Sequence, residues 1–263
     1  MPKGIRVTVE GERGTISLDT FVTIIRNTLD MLADLDSAIS LEPRGSLDWF
    51  VADASFGSLV IALEAKAKRP DRDYSAEVTK TFVDGLVHIQ RERTTPPYFS
   101  DYGLRKALDL AKSLRKDGAA TVHIQDVQRQ ASATIRPEVT ADIGQLVNIR
   151  YREIGSIEGR LEMVSIHGAA RFTVYHAITR RSIRCKFDPK ELLEQVKDAL
   201  GRRVMVAGVV HYNYKHEPVR VNLQKLTVLP REEELPSPKQ LRGMASDFTG
   251  DQTTEEYVRS LRE

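Results

Sequence analysis

One cysteine, Cys185, stands in 263 residues. No disulfide framework can form within the chain, and a reducing cytoplasm suits it. No stretch approaches the roughly 20 apolar residues that a membrane-spanning helix needs. The opening Met1-Pro2-Lys3-Gly4-Ile5-Arg6 lacks an apolar h-region, so no secretory signal is expected. Catalytic signatures are missing too: there is no Gly-rich phosphate loop, no Gly-x-Ser-x-Gly turn and no His-Glu-x-x-His helix. His211 and His216 have no third ligand nearby in sequence, which argues against a metal site. The expectation is a cytoplasmic, non-enzymatic protein with no cofactor and no membrane partner.

Charge is nearly balanced at +2 overall, but it is not evenly spread. Residues 1–144 hold 19 Lys+Arg against 21 Asp+Glu, a net of −2. Residues 145–229 hold 15 against 8, a net of +7, and residues 230–263 hold 5 against 8, a net of −3. A basic centre between acidic flanks suits either a polyanion or the chain's own tail.

Residues 1–137 predict a mixed α+β domain. Ile5-Arg6-Val7-Thr8-Val9 alternates as a short strand. Ser17 or Asp19 can cap a long helix along which Leu18, Phe21, Val22, Ile25, Leu29, Leu32 and Leu35 recur. Residues 47–52 and 59–63 predict a hairpin turning at Ser55-Phe56-Gly57-Ser58. Two helices follow, divided by Thr95-Pro96-Pro97 and stopped at Gly118, with 122–125 and 131–135 as closing edge strands. Trp49 in the hairpin and His88 beside a helix's apolar face are expected to pack rather than to bind a ligand. Residues 138–149 connect this domain to the next.

Residues 150–229 carry five strand patterns and one helix. Strands are predicted at 156–163, with a bulge at Gly159, then at 172–178, 183–187, 204–210 and 219–228. Gly168 turns the chain between the first two. Asp188-Pro189 starts the single helix with a cap and a first-turn proline, Leu192, Leu193, Val196 and Leu200 form its apolar face, and Gly201 ends it. Three strands, a helix and two strands resemble an OB-fold barrel, whose helix plugs one end between the third and fourth strands. The predicted fold class is therefore α+β: a mixed N-terminal domain, a five-stranded OB-like β-barrel and a short helical tail.

The OB-fold resemblance implies binding on the outer face of the second and third strands. In the second strand Phe172, Val174 and Ile178 take the inward phase, leaving Arg171, Thr173 and Tyr175 outward. In the third, Cys185 points in while Arg184 and Lys186 point out, and Arg180 and Arg181 occupy the turn. An aromatic ring among basic residues has the make-up of a stacking platform with phosphate contacts for single-stranded nucleic acid. The next hairpin adds Tyr212, Tyr214, Lys215 and His216. A merely solvated basic face is the other reading, and Glu158 and Glu162 would dilute its field.

Residues 230–263 form a charged, proline-bearing linker and a tail. Ser237-Pro238-Lys239-Gln240 and Thr253-Thr254-Glu255-Glu256 both have capping-box spacing. Leu241, Met244, Phe248, Tyr257, Val258 and Leu261 follow them as apolar anchors. Helices this short must dock to persist, on the chain's own surface or in a partner groove. The pattern resembles the C-terminal tails of bacterial antitoxins from toxin–antitoxin systems. That resemblance implies a protein partner, with a PIN-type ribonuclease toxin as the candidate. No helix-turn-helix or ribbon-helix-helix element accompanies the tail, which leaves operator binding unsupported.

Overall fold

Strand alternation in the two halves of the chain builds two different five-stranded sheets, giving an α+β protein. The computed structural model describes residues 3–12, 15–42, 44–55, 59–114, 119–166, 169–231, 234, 250 and 252–260. Met1–Val228 is one compact unit and Leu229–Glu263 a second.

The first sheet comprises β1 (Gly4–Gly11), β2 (Leu47–Ser55), β3 (Leu59–Ala67), β4 (Ala119–Asp126) and β5 (Ser132–Ile135). All neighbours pair antiparallel, in the order β2-β3-β1-β4-β5. Period two decides which face is covered: Ile5, Val7 and Val9 are fully buried, whereas Arg6 and Glu10 lie exposed. β4 was expected at an edge, but it sits between β1 and β5, so the edges are β2 and β5. The expected hairpin turn at 56–58 lies outside the described residues, as do Gly118 and Gly168.

Four helices supply the other half of this core. α1 (Leu18–Ser40) starts at Ser17, whose Oγ accepts from the Thr20 N–H at 3.1 Å. α2 (Ser75–Glu92) and α3 (Asp101–Ser113) flank the Pro96-Pro97 break. Residues 138–149, read as a connection, contain a fourth helix, α4 (Val139–Val147), and its Ile143, Leu146 and Val147 enter the first core. Trp49 packs against this core, and His88 Nε2 lies 2.8 Å from Thr94 Oγ1, both as expected.

The second sheet comprises β6 (Ile149–Ser165), β7 (Arg171–His176), β8 (Ser182–Lys186), β9 (Arg203–Asn213) and β10 (Pro218–Val228). Its pairings run round a closed ring, β10-β8-β7-β6-β9, with β9 returning to β10. All are antiparallel except β8–β10. Phe172, Val174, Cys185, Val206, Val210 and Val221 fill the interior, and burial pushes the Cys185 thiol far up, leaving it an inert apolar group. α5 (Pro189–Asp198) starts on the Asp188 carboxylate, which accepts from the Lys190 N–H at 2.9 Å. It buries Val196, and Ala199 just beyond it, while Leu200 is turned out to solvent, contrary to expectation.

Three sequence expectations are corrected in this sheet. β6 begins seven residues earlier than its pattern suggested, at Ile149. Gly159 pairs without a break to both neighbours, and the register shift falls two residues later, between Leu161 and Met163. Its glycine is required by close approach, since a Cβ there would overlap the Tyr175 carbonyl, just as one at Gly208 would overlap that of Asn222. Ile178 lies beyond the end of β7, in the turn, and is 86% exposed.

The two sheets are joined through a buried carboxylate. Glu217, only 7% exposed in the β9–β10 turn, meets Arg181 Nη1 of the β7–β8 turn at 2.7 Å. The same carboxylate accepts from Thr95 Oγ1, between α2 and α3, at 2.7 Å and from Asn213 Nδ2 at 3.0 Å. Asn213 Nδ2 also donates to the Leu146 carbonyl at the end of α4. Tyr98 N–H donates to the Arg180 carbonyl at 3.2 Å, and Phe99, from the same segment, is buried against Gly85 of α2. Removing one member of such a buried pair strands the others, at a typical cost of about 3–5 kcal/mol. Glu217→Ala is expected to lose stability on that scale in urea unfolding, and Arg181→Ala added to it should cost much less than it does alone. A loss below about 1 kcal/mol for Glu217→Ala would mean that water replaces the carboxylate.

The second unit contributes one helix among the described residues, α6 (Thr254–Ser260). The expected capping box is formed: Thr253 N–H donates to Glu256 Oε2 at 2.9 Å, and Glu256 N–H donates to Thr253 Oγ1 at 3.3 Å. The Thr253 N–H, and its hydroxyl at 2.8 Å, donate to the Glu256 carboxylate and hold it below its ordinary range. Tyr257 and Val258 lie on this helix, with Val258 exposed. Leu241, Met244, Phe248 and Leu261, and the box at 237–240, lie outside the described residues.

Candidate nucleic-acid interface

The platform expected on β7 and β8 is covered. Tyr175 does point outward from the closed sheet, but it is 3% exposed, with its ring 6.2 Å from that of Tyr98. Burial, then the nearby Glu162 and Asp34 carboxylates, push its phenol far up. Tyr175 cannot serve as a stacking surface. Arg184 joins it in lining a cavity of about 50 Å³ with Asp34, Ser100, Asp101 and Thr173. Ser100 Oγ donates to Asp34 at 2.6 Å, yet burial outweighs this bond and the Arg184 charge, so the Asp34 carboxyl is raised. A space of that size admits water, not a substrate.

The remaining residues of the expected patch scatter. Arg181 is committed to Glu217. Arg180 is exposed in a left-handed turn (φ 56°). Arg171 donates to the Ala169 carbonyl at 3.4 Å, and it lies opposite the exposed Lys186 in the β7–β8 register. Tyr214 and Lys215 sit in the β9–β10 hairpin, with the Tyr214 ring half exposed.

A different row of cations assembles on strands that sequence reading passed over. Arg152 of β6 lies opposite His211 of β9, His211 opposite Arg220 of β10, and Arg220 opposite Arg184 of β8. Directly opposed residues share one face, so four strands present Arg, His, Arg and Arg side by side. Two residues along, Ile154, Val209, Asn222 and Lys186 form the next row on that face. Among the described residues Arg152, Lys186 and Arg220 make no ion pair, whereas Arg160 is held by Glu162 and Arg203 by Glu158. His211 is kept neutral: burial lowers its pKa, and Arg220, Arg152 and Lys186 lower it further. Its Nε2 is buried without a hydrogen-bond partner among the described residues.

The same end of the sheet carries an aromatic cluster, with Tyr151 and Tyr212 on the opposite, interior phase of β6 and β9. The Tyr151 and Tyr212 rings stack with centroids 5.0 Å apart and planes inclined by 13°. Arg150 Nη1 lies 3.0 Å from His216 Nε2, and its guanidinium stands 6.0 Å from the Tyr214 ring centre. An arginine can only donate, so His216 Nε2 accepts in this contact. The other ring nitrogen, Nδ1, lies 3.1 Å from Tyr151 Oη. Arg150, Tyr151 and Arg152 were missed because β6 was begun at Ser156. The alternation of Ile149-Arg150-Tyr151-Arg152 was the available signal.

Cations that make no ion pair among the described residues, with a neutral imidazole among them and the exposed Tyr214 ring beyond, suit a ligand with negative charges and a flat face. Among the described residues no group of three or more His, Cys, Asp or Glu side chains is placed to hold a metal ion. No described helix is long and apolar enough to cross a membrane. Set against known proteins, the chain matches no protein-family model and no curated protein.

Proposed function

We propose that this chain is a non-enzymatic binding protein that takes single-stranded nucleic acid across β8, β10, β9 and β6 of an OB-like barrel. One observation carries the reading: Arg152, His211 and Arg220 stand side by side on the outer face of the closed sheet, and neither arginine makes an ion pair among the described residues. The barrel assignment is supported by strand order, with three strands, a helix and two strands closed by a parallel β8–β10 pair. The binding face is moved from the outer side of β7–β8, where the first sheet's helices and loops cover Tyr175 and Arg184. Phosphates would lie along the cationic row and an unpaired base on the exposed Tyr214 ring of the hairpin.

A labelled oligonucleotide tests this by fluorescence anisotropy. Binding should weaken as salt rises, since phosphate contacts release counterions. Losing Arg152 and Arg220 together should flatten the log–log salt slope by about 1.4, at roughly 0.7 per contact on a single strand. Tyr214→Ala should cost about 1–3 kcal/mol if a base stacks there. No binding at low salt, or equal binding by the Arg152→Ala/Arg220→Ala double variant, rejects the reading.

A second reading concerns the tail, and the reciprocal Thr253–Glu256 cap favours it. A seven-residue helix is too short to persist on propensity alone, yet this one has a dedicated start and an exposed Val258. Leu241, Met244, Phe248, Tyr257, Val258 and Leu261 would then anchor in a partner groove, antitoxin-like, with a PIN-type ribonuclease as the candidate toxin. Every strand among the described residues is complete by Val228, so a chain ending at Pro230 should keep its thermal midpoint. It should also lose co-purification with a ribonuclease encoded beside it. A midpoint lowered by several degrees counts against this reading.

A further inference from the structure

The apolar stripe of α1 is longer than the core that receives it. Ile24, Met31, Leu32 and Leu35 are fully buried, but Leu18 is 76% exposed and Val22 41%. Leu18, Val22, Ile25 and Leu29 follow one another at spacings of four, three and four, which places them in a line on one side of the helix. Beside that line runs an open groove of about 490 Å³, lined by Phe21, Val22, Ile25, Leu29 and Ile61, with Arg26 and Asp30 at its rim.

We infer that this surface receives the same surface of a second copy of the chain, with the two α1 helices antiparallel across a two-fold axis. The four-three-four spacing is the seam of a paired helix, in which side chains of one helix enter the gaps beside the other. A two-fold interface requires a surface complementary to itself, and the charges on α1 meet that condition. Asp19 follows Leu18 and Arg26 follows Ile25, so both stand on the same flank of the seam, two turns apart. Inverting the helix about a point between Val22 and Ile25 lays Asp19 of each copy beside Arg26 of the other. Parallel pairing would instead put the two Asp19–Arg26 flanks on opposite sides of the interface, so that neither charge would meet its complement. Neither side chain makes an ion pair among the described residues, whereas Asp30 is already held by Lys106 at 2.7 Å. The groove accepts the partner's Leu18 and Val22, and the two charge pairs fix the orientation.

Sedimentation equilibrium of the full chain across the micromolar range should find a species of twice 29.6 kDa. Val22→Lys, at an exposed position, should leave a monomer with an unchanged thermal midpoint. Arg26→Asp or Asp19→Arg alone should weaken pairing by about tenfold or more, since each sets two like-charge contacts against the interface. Mixing those two single variants should form a heterodimer in preference to either homodimer, and combining both changes in one chain should restore self-association. A parent chain that stays monomeric throughout overturns the inference. So does a dimer indifferent to both charge reversals, which would use another surface. The cationic row lies on the second sheet, so oligonucleotide affinity per chain should not follow these changes.

Discussion

A single buried carboxylate, that of Glu217, sets which surfaces of this protein remain available. Taking a charge out of water costs several kcal/mol unless its lone pairs are all met. Here Arg181, Thr95 and Asn213 meet them from three separate places in the chain. The arrangement draws the β7–β8 and β9–β10 turns against the α2–α3 connection, and Asn213 extends it to the end of α4. Tyr98 and Phe99, carried by that same connection, then lie over the outer side of β7 and β8. Burial of Tyr175, and the partial cover over Arg184, follow from this clamp rather than from their own strands.

Strand geometry decides what is left. In a closed sheet the interior is filled by one phase of every strand, so any ligand must take the other phase. The first sheet's elements occupy that outer phase over β7 and part of β8. The continuous outer tract that remains crosses from Lys186 through Arg220 and His211 to Arg152. Gly159 and Gly208 belong to this account because neighbouring backbone leaves no room for a Cβ at either position.

Local signals in the sequence were reliable where the physics is local. Asp188-Pro189 marked the start of α5, Ser17 that of α1 and Thr253–Glu256 that of α6, because caps satisfy backbone donors within a few residues. Period two gave the phase of Tyr175 correctly but said nothing of what covers it, since that depends on residues about 80 positions earlier. The stripe of α1 likewise reported an apolar side without reporting where the protein's own core stops. Arg152, His211 and Arg220 are unremarkable in sequence and lie up to 68 positions apart. Only strand register makes them neighbours, and register is the quantity a single sequence specifies least directly.

His211 shows why that row can exist without carboxylates. Adjacent strands lie about 4.8 Å apart, so Arg152 and Arg220, two strands from each other, have backbones roughly 10 Å apart. Two charges at that distance repel by only about 0.4 kcal/mol in water. A proton on the imidazole between them would add two contacts at about half the distance, each roughly 0.8 kcal/mol in water and larger where the ring is buried. Burial first, then the Arg220, Arg152 and Lys186 charges, lower the His211 pKa and so disfavour that proton. A phosphate placed over the row would reverse the balance, offsetting the arginine charges and offering the buried Nε2 a partner if it takes up a proton. The neutral imidazole therefore keeps the free surface tolerable, and under the proposed reading it would become a third donor to a bound phosphate.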